Sequence, residues 1–457
     1  MRGKRSSFRI GKVRGYLRGR IWYLCYHENG QRRRPRIGPE LEAARKLAAH
    51  TNAQLESSTA TLLNFEPVTV VELRGRWLTH HEQVLRSSVH TIDRYRTATD
   101  HLLSFLGDRR GGKLASQFTA ADAQAFAAHL REIEVAPNGH KNSAKRRLLD
   151  KGIKYILETS RALFNYAAKR RHLSAYAPNP FSEIQIDRMP IEEAKPIVLF
   201  SREQERQFFE ACDDWQFPIF MTLALTGLRP GELVHLVLPE DLDLDQGILR
   251  VRNKPQLGWQ VKTRNQRDVP LLAPLANVLT AHLRGRRCGP VFLRRLVQAT
   301  QSEPLKEIST EDLKSEVTAR VGAREAELAR SLSRKERLAV TGSVWWDAGA
   351  LKEDRIRTEF MSVTRKIGIP SATAPKLWRH QFATALQDAN VDPLIRNHLM
   401  GHCPVNGSGY GTALGMTALY THTNPKTART QLEEAIRAHP AIAAAPLWLV
   451  RHQASGC

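Results

Sequence analysis

Proline sets the first limit on this chain. Pro178, Pro180 and Pro190 fall in one short stretch that follows a long helical period. No helix interior or central strand runs through such a stretch, because proline lacks the backbone N–H and clashes with the preceding turn. Residues 178–190 therefore read as an interdomain linker, with 179–197 joining two bodies. Glu66-Pro67 marks an earlier boundary. With 457 residues, at about 150 per domain, three domains fit. The expected division is a basic domain over 1–60, a helical domain over 66–178, and a larger domain over 198–445. A tail over 446–457 follows, because the apolar stretch Ala441–Val450 is broken by Pro446.

Charge narrows the partner. The chain carries 69 Lys+Arg against 46 Asp+Glu, a formal net charge of +23. Such an excess favours a polyanion, nucleic acid before membrane, because each neutralised phosphate releases condensed counterions. Residues 1–37 hold twelve Lys/Arg and one acid, Glu28. Within them Arg20–His27 is strand-like and ends on Asn29-Gly30, a hairpin signal. Arg18, Arg20, Arg32, Arg33 and Arg34 flank this hairpin and are candidate DNA contacts. Leu41, Ala44, Leu47 and Ala48 share one helical face after it. From Val70 the period is helical through Leu73, Trp77, Ile92, Tyr95, Leu102 and Phe105, and Thr119 with Asp122 forms a capping-box pattern.

A long helix is predicted over much of Ala144–His172, with Leu149, Ile153, Ile156, Leu163, Phe164 and Ala167 inward. Its remaining positions include Lys145, Arg146, Arg147, Lys151, Lys154, Arg161, Lys169, Arg170 and Arg171. A charge run is usually a solvated face, but this density of cations points to DNA backbone contact.

Other bounds are brief. The five cysteines are scattered without a CxxC pair, which gives no support to a zinc ribbon and suits a reducing cytoplasm; a DNA-binding chain there is expected at the nucleoid. No run of about 18 apolar residues exists, so no membrane span is expected. The basic N-terminus lacks the apolar core of a secretory signal. Residues 301–340 balance Lys/Arg against Asp/Glu, and about 299–351 reads as a solvated helical insertion.

Five segments carry the chemistry. In the first, Gly227 ends one helix, Pro230 opens the next, and Glu232 sits in its first turn, which leaves Arg229 at a helix N-terminus. In the second, Trp259–Lys262 and Asp268–Leu271 are predicted to form a hairpin with Lys262 at or near its turn. In the third, Pro375 opens a helix that buries Phe382, Ala383 and Leu386. Lys376 and Arg379 share its positive end. The fourth is His398–His402. The fifth is Met416–His422, before a last helix starting at Asn424-Pro425.

These segments resemble the tyrosine recombinase, or phage integrase, family. The T-G-x-R-x-x-E-L box is matched by Thr226, Gly227, Arg229, Glu232 and Leu233. The hairpin lysine before V-P-L is matched by Lys262, ahead of Val269-Pro270-Leu271. The H-x-x-R-H-x-F-A-T box is matched by Arg379, His380, Phe382, Ala383 and Thr384, with Lys376 where the family usually has its first histidine. L-G-H is matched by Gly401 and His402, with Met400 in the leucine place. T-x-x-Y-x-H is matched by Thr417, Tyr420 and His422. His402 and Tyr420 stand 18 apart, about twice the family's usual spacing. The extra residues Pro404–Gly415 read as a loop insertion that contains Tyr410, a second tyrosine outside the T-x-x-Y-x-H context.

The resemblance implies a mostly α fold with small β-sheets (α+β): an arm-binding-like N-terminal domain, a helical core-binding domain and a mainly helical catalytic domain. It implies strand cleavage by Tyr420 through a 3′-phosphotyrosyl link. Arg229, Arg379, Lys376 and His402 would act on the phosphate, and Lys262 would protonate the leaving 5′-oxygen. Glu232, His380 and His422 would support them. It implies no metal and no cofactor, double-stranded DNA attachment sites as partner, four protomers on paired sites, and a directionality or host bending factor as an accessory. The element would be integrated or excised. Two other readings stay open: a decayed member that binds DNA without cutting, and a type IB topoisomerase-like relaxing enzyme.

Overall fold

The computed structural model describes residues 6–28, 30–57, 66–107, 112–136, 142–173, 177–191, 198–262, 264–300, 305–402 and 424–454. The chain divides into two units, Met1–Lys195 and Pro196–Cys457.

The first unit begins with an antiparallel sheet. Its strands are β1 (Ser7–Ile10), β2 (Val13–Arg18), β3 (Ile21–Glu28), β4 (Gln31–Arg33) and β5 (Arg36–Gly38), ordered β1-β2-β3-β4 with β5 paired to β3. The side-chain period of two sends Trp22, Leu24 and Tyr26 inward. There Val13, Leu24 and Tyr26 pack on Ala48 of α1 (Leu41–Glu56). Glu28 pairs with Gln31 across the expected hairpin, and Gly30 takes φ +77.

The helices α2 (Val70–Thr79), α3 (Val89–Leu106), α4 (Ala120–Glu132) and α5 (Asp150–Lys169) share a core of Leu73, Trp77, Leu102, Phe126, Leu163 and Phe164. Capping boxes at Thr69–Glu72 and Thr119–Asp122 start α2 and α4.

Three expectations are corrected in this unit. Arg146–Arg147 form a short strand, β7, paired with β6 (Glu134–Val135), and α5 starts only at Asp150. Three successive cations at the positive end of a helix are unfavourable, whereas Asp150 in the first turn is favourable. Leu149 is accordingly exposed. Glu66 is no tether: its N–H donates to Arg171 O (2.8 Å), and its carboxylate holds Arg76 at 2.9 Å. Likewise Phe181 and Ile186 of the proline-rich stretch are fully buried in the helical core, because two large apolar side chains gain more there than in water. Residues 192–197 of the expected linker lie outside the described residues.

In the second unit, α6 (Arg202–Ala211) starts with a Ser201–Gln204 capping box, as the sequence predicts. The next helix, α7 (Gln216–Thr226), is apolar on all sides and buried on all sides. It ends at Gly227 in the left-handed region (φ +61) and is followed by α8 (Pro230–Leu233). Strands β8 (Val237–Leu238), β9 (Leu242–Asp243), β10 (Ile248–Val251) and β11 (Arg267–Pro270) follow, with β11-β10-β9 in one sheet. Then come α9 (Ala273–Leu283), β12 (Gly289–Pro290) on β8, and α10 (Arg295–Thr300). Next are α11 (Thr310–Leu328), α12 (Arg334–Asp347), α13 (Glu353–Lys366), α14 (Leu377–Asp388), α15 (Pro393–Met400), α16 (Pro425–Ile436) and α17 (Pro440–Ala454). Trp378 of α14 sits in an aromatic cluster with Phe200, Phe208 and Phe209.

The hairpin partner of β11 is β10, with Leu249 opposite Val269, and not Trp259–Lys262. Residues 252–266 form the connection. The residues from 446 are not a free tail up to 454: α17 runs through Pro446, and Trp448 is fully buried, stacked on Phe217 at 5.6 Å. Leu432 and Ile436 of α16 are buried in the core of their own unit.

Candidate active site

The site grows from the end of α7. Gly227 is needed twice: its φ is left-handed, and a Cβ there would lie 2.3 Å from the Phe382 ring. The turn places Arg229 as the N-cap of α8. Its backbone N–H donates to Glu232 Oε2 (3.0 Å) and its guanidinium to Glu232 Oε1 (2.6 Å).

Glu232 is the hub. It also accepts from Arg267 Nη2 at 2.8 Å and Nη1 at 3.3 Å, with both side chains 1% exposed. Burial acts to raise the Glu232 pKa, but Arg267 and then Arg229 hold it below the ordinary carboxylate range. Arg267 further donates through Nε to Leu399 O (2.8 Å) at the end of α15. Gly401 then turns with φ +62, where a Cβ would meet Arg267 Nη1 at 2.9 Å.

Arg379 closes the ring from α14. Its side chain is buried and donates to Gly227 O (2.7 Å) and to Met400 O, and Nη2 lies 3.1 Å from His402 Nε2. A guanidinium only donates, so His402 Nε2 accepts and its proton is assigned to Nδ1. Burial, with Arg229 and Arg267 nearby, brings Arg379 down to about 10, so it remains charged at neutral pH. Burial and then Arg379, Arg229 and Arg267 push His402 below its ordinary value, against the pull of Glu232. Three guanidiniums thus surround one carboxylate. The surplus positive charge suits an anion, and fork-shaped donors suit its paired oxygens.

The structure therefore brings Arg229, Glu232, Arg379 and His402 together. Sequence reasoning missed Arg267, although one signal was present: it lies in phase with the buried Val269 on β11, so an arginine there faces inward. Lys262 stands exposed in a turn closed by Arg264 N–H to Val261 O (2.8 Å). Asn265 ties that connection to Gly401 O (3.4 Å). Lys376 is exposed at the N-cap of α14. His380 is half-buried, its pKa lowered by burial and by Lys376 and Arg379. Tyr420, Tyr410, Thr417 and His422, and the expected loop Pro404–Gly415, lie outside the described residues. Among the described residues, no group of His, Cys, Asp and Glu is arranged to hold a metal ion.

The expected DNA-facing cations are placed as follows. Arg18, Arg20, Arg32, Arg34, Lys145, Arg146, Arg147, Lys151, Lys169, Arg170 and Arg171 are exposed, and Arg33 and Lys154 are half-buried. Lys154 donates to Asp187 O (3.3 Å) and Arg161 pairs with the Asp187 carboxylate, so these two hold the chain after α5.

Residues 199–426 match the family model of the phage integrase family. No curated relative matches the chain. The chain is similar to the solved structure of the Tn1549 transposon integrase in complex with circular intermediate DNA. There the identity is 18% and the TM-score 0.49, covering 80% of this chain and 99% of that one. It is also similar to a lambda integrase dimer bound to a COC′ core site, at 13% identity and TM-score 0.41, covering 87% and 97%. The XerA recombinase is similar at 19% identity and TM-score 0.30, covering 79% and 96%.

Proposed function

We propose, from the premise that this chain belongs to the phage integrase family through residues 199–426, that it is a site-specific DNA recombinase. It cleaves and rejoins strands to integrate or excise a mobile element. The observation that carries this reading is the Arg229–Glu232–Arg267–Arg379–His402 cluster. It offers a fixed surplus of positive charge with forked donors.

Tyr420 Oη attacks the scissile phosphorus, the Oη–P bond forms, and the P–O5′ bond breaks. A phenol of pKa about 10 is mostly protonated at neutral pH, so its proton leaves to solvent or a neighbouring base during attack. Arg229 and Arg379 neutralise the charge that grows on the non-bridging oxygens, and Lys376 donates to one of them. His402, with Nε2 turned from Arg379 to the phosphate, joins them as a donor once the anion raises its pKa. Lys262 gives its proton to the leaving 5′-oxygen. Rejoining is the same path reversed, with a 5′-hydroxyl from another strand displacing the tyrosine. The energy of the broken bond is kept in the phosphotyrosyl link. Glu232 and Arg267 orient the cluster. DNA attachment sites, four protomers on two sites, and an accessory directionality or bending factor belong to the same proposal.

A nicked suicide duplex, whose short leaving fragment diffuses away, tests it. The expected result is a covalent protein–DNA adduct that is lost in Tyr420→Phe and kept in Tyr410→Phe. No adduct on a bound site would leave the DNA-binding, non-cutting reading. Relaxation of plasmids lacking paired sites would favour the topoisomerase-like one.

A further inference from the structure

The connection that displays Lys262 is held from outside the phosphate site, by the helices that the sequence marks only as a solvated insertion. Its first residues are fixed by Lys254, whose ammonium pairs with the buried Asp241 at 2.6 Å and whose backbone bonds to Trp259 in both directions. Leu257 is buried among Leu313 and Val317 of α11 and Val344 and Trp345 of α12. Gly258 takes φ +67 with α12 pressed against it, since a Cβ there would meet Thr341 at 3.0 Å and Leu338 at 3.1 Å.

One side chain unites these contacts. The Trp345 indole N–H donates to Leu257 O (3.0 Å). Its ring stands edge-on to His235 at 5.1 Å, and His235 lies flat on Trp259, with centroids 4.0 Å apart. His235 Nδ1 donates to Gly231 O (2.7 Å), and the Trp259 ring lies 3.1 Å from the place of a Gly231 Cβ. Gly231 is two residues after Arg229, and Trp259 three before Lys262. The stack therefore joins the Arg229 turn and the Lys262 connection to one helix. Beyond it, Val261 is buried and its N–H donates to Asn253 Oδ1 (2.9 Å), while Asn253 Nδ2 donates to Arg264 O (3.3 Å). The turn that carries Lys262 is thus fixed on both sides.

We propose that the helix pair α11–α12 is the positioning element for Lys262, acting through the Trp345–His235–Trp259 stack that aligns its turn with the Arg229 turn. This rests on the reading of Lys262 as donor of the proton to the leaving 5′-oxygen. Trp345 touches no reacting atom; it is a positioning residue.

The test uses the full chain and two nicked duplexes, one with the natural 5′-oxygen and one with sulfur at the same bridging position. A thiolate, with a conjugate acid near pKa 8.5, leaves without a donated proton. On the oxygen substrate, Trp345→Ala should slow cleavage by about 10- to 100-fold, part of the 10²–10⁴ that a positioned proton donor contributes. On the sulfur substrate it should cleave at the wild-type rate. Lys262→Ala should show the same split, and Arg229→Ala should be slow on both. Trp345→Phe, which keeps a ring but loses the bond to Leu257, should fall between. Gly258→Ala displaces the same connection and should give the same split if Trp345→Ala fails to fold. Equal rates on both substrates in the variants, whether wild-type or slow, would overturn the proposal. A wild-type protein that cleaves neither substrate would overturn the recombinase reading itself.

Discussion

At the scale of residues, the candidate site is an exercise in shared charge. Glu232 serves two arginines, and Arg267 also reaches the Leu399 carbonyl on another segment. Removing one member of a buried pair leaves an uncompensated charge. Arg267→Ala should therefore destabilise the second unit by about 3–5 kcal/mol, read as a lower urea midpoint. Arg267→Lys should recover little, because one ammonium cannot span Glu232 and Leu399 O as a planar fork does. A midpoint equal to the wild type's would show that the pair holds nothing together. The sign with pH follows from the lowered Glu232 pKa. Its contribution is full above the ordinary value of 4.5 and is lost as pH falls through the folded value, so Arg267→Ala should also flatten the acid limb of stability.

At the scale of elements, Glu205 on α6 and His439 just before α17 meet at 3.9 Å in the interior. Burial drives Glu205 up to about 7 and His439 down to about 4, so between those values both are neutral and the contact is no ion pair. A raised acid favours the folded state below its ordinary value of 4.5 and loses that advantage as pH rises to about 7. The lowered histidine works the other way, full above 6.5 and lost toward 4. Glu205→Gln should remove the first slope. Its stability relative to wild type should improve as pH rises from 4.5 to about 7, by an amount on the order of 3 kcal/mol at the limit. Parallel pH profiles would count against the burial argument.

The same scale shows what sequence could and could not reveal. Caps, glycine stops and the order of the boxes were legible because they act within a few residues of themselves, as at Thr119, Ser201 and Gly227. The partner of β11, the strand at Arg146–Arg147 and the burial of Phe181 and Trp448 were not, because each depends on residues distant in sequence. Arg267 was hidden for a related reason: its meaning comes from Glu232, thirty-five positions earlier.

For the whole molecule, the charge has a distribution as well as a sum. Eleven net positive charges fall within residues 1–37, and Arg18, Arg20, Arg32 and Arg34 there are exposed. Changing these four to Gln should lower the slope of log K against log salt for duplex binding by about 3–4, at roughly 0.9 per phosphate contact. An unchanged slope would mean that they do not touch DNA. The Arg229–Arg267–Arg379 cluster has a different consequence. Its like charges are crowded before any phosphate arrives, so the empty site is the tense state and the filled site the relaxed one. Letting go is then the uphill step. An anion seated there relieves the repulsion among the three guanidiniums, and its departure restores it.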